Sequence, residues 1–316
     1  MHFTTKIPIS KSNFALDYHS KIGLLGSCFA ENMGLKFDYF KFQHTPNPFG
    51  IIFNPISIEK MVERCVNQIP FTEGDLLFHN DLWHCFEVHS ELSHPDKSIL
   101  LDNLNAIRVD FYHRILELSQ ILITYGTAWV YRHAETNQIV ANCHKVPQKA
   151  FVKELLSVNQ IEESLQQIVS LVQSVNSNCK FIFTVSPVRH IKDGFVENTL
   201  SKSHLIAAVH RIIRGHSSKV NYFPSYEIMM DELRDYRFYA SDMLHPNQVA
   251  IDYIWERFSE TYFTTESGVT MEEVDAIQKG ENHRPFNPNT EQHQKFLVHL
   301  NQKKLKLTKQ FPKIKF

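Results

Sequence analysis

Four short apolar runs constrain the fold of this chain more than any other feature. They begin near residues 22, 121, 181 and 220, and stretches with helical periodicity of ten or more residues lie between them. A strand buried on both faces reads as a continuous apolar run, so the alternation predicts a mainly parallel sheet covered by helices on both sides. Ligands in such sheets sit at the carboxyl ends of the strands. The turns Gly26-Ser27-Cys28, Gly126-Thr127 and Ser186-Pro187 are therefore predicted to lie along one edge.

The remaining pattern fills in around this sheet. Residues 29–42 follow the first run with helical spacing, and residues 44–55 hold three prolines and a glycine and read as a loop. Ser57 reads as the N-cap of a helix over 58–67. Further helices are predicted over 100–118, 158–175, 197–214 and 225–233, and one opened by Pro246 runs to 262. Hairpins are predicted over 76–88, around His79-Asn80-Asp81, and over 128–140 with its turn near 135–137. From Thr264 the chain turns polar. The division is then a domain over 1–262 and an extension over 263–316 of one or two helices and a basic tail.

Composition excludes several classes. The chain of 316 residues is 43% hydrophobic and 21% charged with a formal net charge of -1, so no basic excess points to nucleic acid. No apolar run approaches the roughly 18 residues that span a bilayer. The opening MHFTTKIPIS lacks a basic stretch followed by an apolar one, and a cytoplasmic protein without a signal peptide is the expectation. Five cysteines, an odd number without a CxxC pair, argue for thiols rather than a disulfide framework.

Two places carry the residue types of chemistry. A glycine ending a strand lets the chain turn sharply into a helix, and the next residues stand at the helix's positive end. A thiol there has its pKa drawn below about 8.5 and lies beside N–H groups that hold an anion. Cys28 and Ser27 are both candidate nucleophiles; a buried cysteine beside a serine cap is the plain alternative. In Ser241-Asp242-Met243-Leu244-His245-Pro246 the acid and the imidazole are three apart before a helix, as in a base oriented by a carboxylate. A capping Asp and a surface His would give the same letters. His79, His84, His89 and His94 recur every five residues, which alternates faces on a strand and misses the helical i, i+4 pairing. No metal site is expected from them.

Gly26-Ser27-Cys28-Phe29-Ala30 spells GSCFA, and the chain resembles the GSCFA family, which is similar to a branch of the SGNH (GDSL-type) hydrolases. The resemblance runs over residues 20–262 through TYGTAWVY at 124–131, NCHK at 142–145, TVSPVRH at 184–190 and SDMLHPN at 241–247. It implies a three-layer α/β/α sandwich of flavodoxin-like type, with inserted hairpins and a C-terminal helical extension. Laid over the Gly-Asp-Ser block of SGNH enzymes, Gly26-Ser27-Cys28 puts Cys28 at the nucleophile, with Ser27 as the alternative. The Asp-x-x-His block falls on Asp242, which orients, and His245, the general base. The resemblance also implies an oxyanion hole from the nucleophile's own N–H, Gly50, and the block at Gly126. There Ala128 stands where an Asn is expected, and Asn142 or His144 would replace it.

The activity so implied is acyl chemistry through a covalent intermediate on Cys28 or Ser27, as an ester or thioester hydrolase or an O-acyltransferase. Its partners would be a small-molecule or carbohydrate acyl substrate and an acyl carrier such as coenzyme A, with no cofactor and no metal. A non-catalytic module that binds carbohydrate or a carrier on a decayed cleft is the competing expectation. The tail's Lys303, Lys304, Lys306, Lys309, Lys313 and Lys315 read as a solvated face or a dock for an anionic polymer.

Overall fold

The computed structural model describes residues 4–216 and 218–316, so the first three residues of the N-terminal stretch lie outside it. The central strands are β1 (Lys21–Gly26), β2 (Gln43–Pro46), β5 (Gln120–Tyr125), β9 (Lys180–Val185) and β10 (Val220–Phe223). They form one parallel sheet in the order β10-β9-β5-β1-β2. Numbered within the sheet alone, that order is 2-1-3-4-5, the flavodoxin-like winding, whose switch point lies between β1 and β5.

Period-two alternation makes the three layers. Ile121, Ile123 and Tyr125 of β5 face one core with Phe181 and Phe183 of β9, while Leu122 and Ile182 face the other. The first core is covered by α2 (Pro55–Val66), α3 (Lys97–Ile115), α4 (Val158–Val175) and α5 (Phe195–His216). The second is covered by α1 (Cys28–Tyr39) and α7 (Gln248–Tyr262). The two helices α8 (Thr265–Glu281) and α9 (Glu291–Gln310) join this second core through Met271, Val274, Ile277, Leu300 and Leu307. The extension is thus packed on the back of α1, where the Tyr39 hydroxyl donates to Asp275 Oδ1 at 2.9 Å. No helix among the described residues is long and apolar enough to cross a membrane.

Both hairpins form. β3 (Leu76–His79) and β4 (Leu82–Cys85) pair across Asn80 and Asp81, both at positive φ as a two-residue hairpin turn requires. β6 (Trp129–His133) pairs with β7 (Ile139–Val140). Several expectations need correction. Part of the proline-rich loop is an edge strand: β2 lies beside β1, with Pro46 at its end, where a missing N–H costs nothing. A third strand, β8 (Phe151–Leu155), pairs with β6; its residues are mostly half-exposed, so no apolar run marked it. The cap of α2 is Asn54, whose side chain accepts from Ser57 N–H, with Pro55 at the first position. Pro246 precedes the helix it was expected to open, because Asn247 caps α7. The segment after β10 begins as a single turn, α6 (Ser225–Glu227), and continues as a π-helical turn (Ile228–Leu233).

Candidate active site

The carboxyl ends of β1 and β5 meet at the switch point, and Gly26 makes the turn there. Its φ is +129°, and a Cβ at this position would stand 2.1 Å from Thr124 O. Only glycine fits such an approach. The Asn47 side chain takes the Gly26 N–H at 2.8 Å, and Thr124 O takes the Ser27 N–H at 3.0 Å. The chain then enters α1 directly.

Ser27 and Cys28 have different surroundings. Ser27 is 1% exposed, and its Oγ accepts the Phe29 N–H at 3.3 Å as the helix cap. Cys28 is the first helical residue and is partly exposed. The expectation of a lowered thiol pKa needs correction. Burial pushes the Cys28 thiol up, and the Glu31 carboxylate one helical turn on adds to this. Lys202 and the N–H groups of Cys28 and Phe29 pull it down, but by less.

Asp242 and His245 come together as their spacing suggests. His245 Nδ1 donates to Asp242 Oδ2 at 2.6 Å, and Asp242 Oδ1 accepts the N–H groups of Leu244 at 2.9 Å and His245 at 3.0 Å. The N–H of His245, then that of Leu244, then the imidazole hold this carboxyl down at about 2, although it is open to water. The segment is tied to the end of β9, where Arg189 N–H donates to Leu244 O at 3.1 Å. The Arg189 guanidinium is flanked by the rings of Phe195, Tyr236 and Tyr239.

The remaining candidates sit differently. Gly50 has φ +74° beside His89, and its N–H is spent on Asn47 O at 2.8 Å. The Gly126 N–H is likewise spent on Phe53 O at 2.8 Å. Neither is free to hold an oxyanion in this arrangement, which corrects that expectation. Asn142 Oδ1 accepts the His144 N–H at 2.8 Å, and His144 Nε2 donates to Cys85 O at 2.7 Å at the edge of the β3–β4 hairpin. The His144 ring lies 4.6 Å from that of His84, is 4% exposed, and burial pulls its pKa down to about 4. Asn142 is thus committed to the loop that carries it, and the His144 ring to the β3–β4 hairpin. Among the described residues, no group of three or more His, Cys, Asp or Glu is arranged for a metal.

Three residues that the sequence reading passed over lie on α5. Ser201 Oγ accepts the Ala128 N–H at 2.7 Å, so position 128 faces the core rather than a cleft. Asn198 Oδ1 accepts the His190 N–H at 2.9 Å. Lys202, 1% exposed, donates to Gly126 O and Ser186 O, each at 2.8 Å. Burial pulls its pKa down to about 7, with Cys28 opposing. A signal existed: Asn198, Ser201 and Lys202 occupy the buried stripe that Leu205, Ala208, Val209 and Ile212 continue. Polar residues on a core-facing stripe mark a site. His190 stands beside Gly126, with its Nε2 3.1 Å from where a Gly126 Cβ would be, shielded and without a hydrogen-bond partner among the described residues. Burial, then the charges of Lys202 and His245, draw its pKa down to about 3.

The switch-point turn is the name motif of the family that the comparison returns. The GSCFA family model matches residues 21–258. The chain belongs to the GSCFA family. A second model, the GSCFA domain protein C-terminal domain, matches residues 274–316, which takes in the second half of α8 and all of α9. A search of curated proteins found no match. In this GSCFA protein the family segment ends inside α7, and the motif and the Asp242–His245 pair both lie within it.

Proposed function

We propose that this GSCFA protein is an acyl-group enzyme of SGNH type, an ester or thioester hydrolase or an O-acyltransferase. Cys28 is the nucleophile, His245 the general base and Asp242 the residue that orients it. The observation that carries the reading is the 2.6 Å Asp242–His245 hydrogen bond on a segment tied to the strand edge from which Cys28 projects. His245 takes the S–H proton of Cys28 as the sulfur attacks the acyl carbonyl, and the carbonyl π electrons move to oxygen. The tetrahedral anion gains from the positive end of α1, where Cys28 N–H is the nearest donor. Collapse expels the leaving group, which takes the proton back from His245, and leaves a thioester on Cys28. His245 then takes a proton from water or an acceptor hydroxyl, which attacks that thioester and frees the thiolate.

The substrate fits a small or carbohydrate acyl donor, with an acyl carrier such as coenzyme A as the transfer partner. The test is a panel of acyl esters and thioesters assayed with wild type, Cys28→Ala and His245→Ala. Turnover by wild type that both variants lose supports the reading; turnover that survives Cys28→Ala sinks it.

A second reading has its own support. The raised Cys28 thiol and the spent N–H groups of Gly50 and Gly126 suit a cleft that binds carbohydrate or a carrier without chemistry. Tight binding of such a ligand, unaltered in Cys28→Ala and with no turnover, would favour it.

A further inference from the structure

Arg189 is a cation at the rim of the site that the scheme above leaves without a role. Its backbone N–H donates to Leu244 O at 3.1 Å, and Tyr239 forms a β-bridge with Pro246. Arg189 is thus tied to the residue before His245 and Tyr239 to the residue after it. The Ala240 N–H closes the arrangement on His245 O at 2.7 Å. The Arg189 guanidinium lies 5.3 Å from the ring of Phe195, 5.5 Å from that of Tyr236 and 5.3 Å from that of Tyr239. Aromatic rings attract a guanidinium without using up its N–H groups.

Those N–H groups have little else to bind. A guanidinium carries a fork of donors, and the side-chain hydrogen bond of Arg189 among the described residues is a long one, from Nη1 to Met243 O at 3.5 Å. Among the described residues no carboxylate forms an ion pair with it. The acids on the segments around it, Asp193, Asp235 and Asp242, pair instead with Lys153, Arg237 and His245. The side chains beside it are apolar and open to solvent: Phe195 is 59% exposed, Tyr236 60% and Met243 46%. An unpaired donor fork among exposed rings, next to the Asp242–His245 pair, suits a phosphate or a carboxylate, which takes two N–H bonds at once.

We propose that Arg189 is the specificity residue of the candidate site and holds an anionic group, a phosphate or a carboxylate, on the acyl substrate or its carrier. Phe195, Tyr236 and Tyr239 then cover the part of that molecule next to the anion. Resting on Asp242 and His245 as part of the reacting centre, this narrows the substrate of the acyl reading to acidic molecules. A neutral substrate would leave the guanidinium unpaired beneath it, with its water displaced and nothing in exchange.

The experiment is calorimetric titration of the Cys28→Ala protein, which separates binding from turnover, with two pairs of probes. Phosphopantetheine against pantetheine tests a phosphate, and glucuronic acid against glucose tests a carboxylate. At least one anionic probe should bind about tenfold or more tighter than its neutral partner, and adding Arg189→Gln should remove that preference. The pair that shows it names the anion. No preference in either pair, or a preference that survives Arg189→Gln, overturns the proposal. The substitution keeps the backbone N–H on Leu244 O. Should the variant still not fold, phenylglyoxal labelling of Arg189 in the wild type decides, mapped by mass spectrometry. An anionic probe should slow that labelling and its neutral partner should not; labelling indifferent to both anions overturns the proposal. An Arg189-dependent preference without acyl turnover on the ester panel keeps the anion subsite and rejects the acyl reading. Turnover without such a preference does the reverse.

Discussion

Asp242 grips His245 twice: Oδ1 takes its backbone N–H at 3.0 Å and Oδ2 takes the ring Nδ1–H at 2.6 Å. This fixes both the ring's orientation and its tautomer, leaving Nε2 as the basic nitrogen. Asp242→Asn should therefore lower acyl turnover by on the order of 10²–10⁴, read as kcat/KM on the best thioester of the panel. The melting temperature should change little, because both side chains are open to water.

Ser27 and Cys28 should separate cleanly. Ser27→Ala removes a helix cap and should cost about 1 kcal/mol in chemical denaturation, while alkylation and turnover persist. Cys28→Ala should leave stability nearly unchanged and abolish both. The reverse pattern would move the nucleophile to Ser27.

Gly26→Ala should be poorly tolerated. The added methyl meets Thr124 O at 2.1 Å and the backbone stands at φ +129°. The strain alone is about 1–3 kcal/mol. Denaturant titration measures it, and loss of Cys28 labelling should accompany it because the turn aims the helix.

Acid should destabilise the protein in a defined window. His144 has its pKa drawn from 6.5 to about 4, and His190 to about 3, so both stay neutral in the fold where the unfolded chain binds protons. A depressed folded-state pKa contributes stability above 6.5 that is lost as pH falls through the folded value. The melting temperature should fall from about pH 6.5 towards 4. His144→Gln, which keeps a donor for Cys85 O, should flatten that part of the curve. An equally steep curve in the variant would remove His144 from the account.

Much of this was open to inspection in the letters. Residues 121–123 are apolar because the strand is buried on both faces, and Gly26 ends β1 because no other residue turns there. The Asp242–His245 contact follows from a three-residue span that a tight turn closes. Family membership, too, is carried by contiguous segments. Each of these is a local property, decided by periodicity or turn chemistry within a few residues.

Other features depend on distant parts of the chain. β2 and β8 are short strands whose hydrogen bonds come from partners already in place, so nothing in their own composition announces them. The thiol of Cys28 illustrates the limit most clearly. Its position at a helix N-terminus argues for a lowered pKa, yet burial by surrounding residues outweighs the dipole. Lys202 joins the site only because α5 folds against β5 and β9, which places its ammonium between carbonyls 76 and 16 residues away. The sequence determined the four apolar strands, the turn and the acid–imidazole pair, since these need only neighbours along the chain. The tertiary structure alone decided the electrostatics of the site, since desolvation depends on everything that surrounds a group.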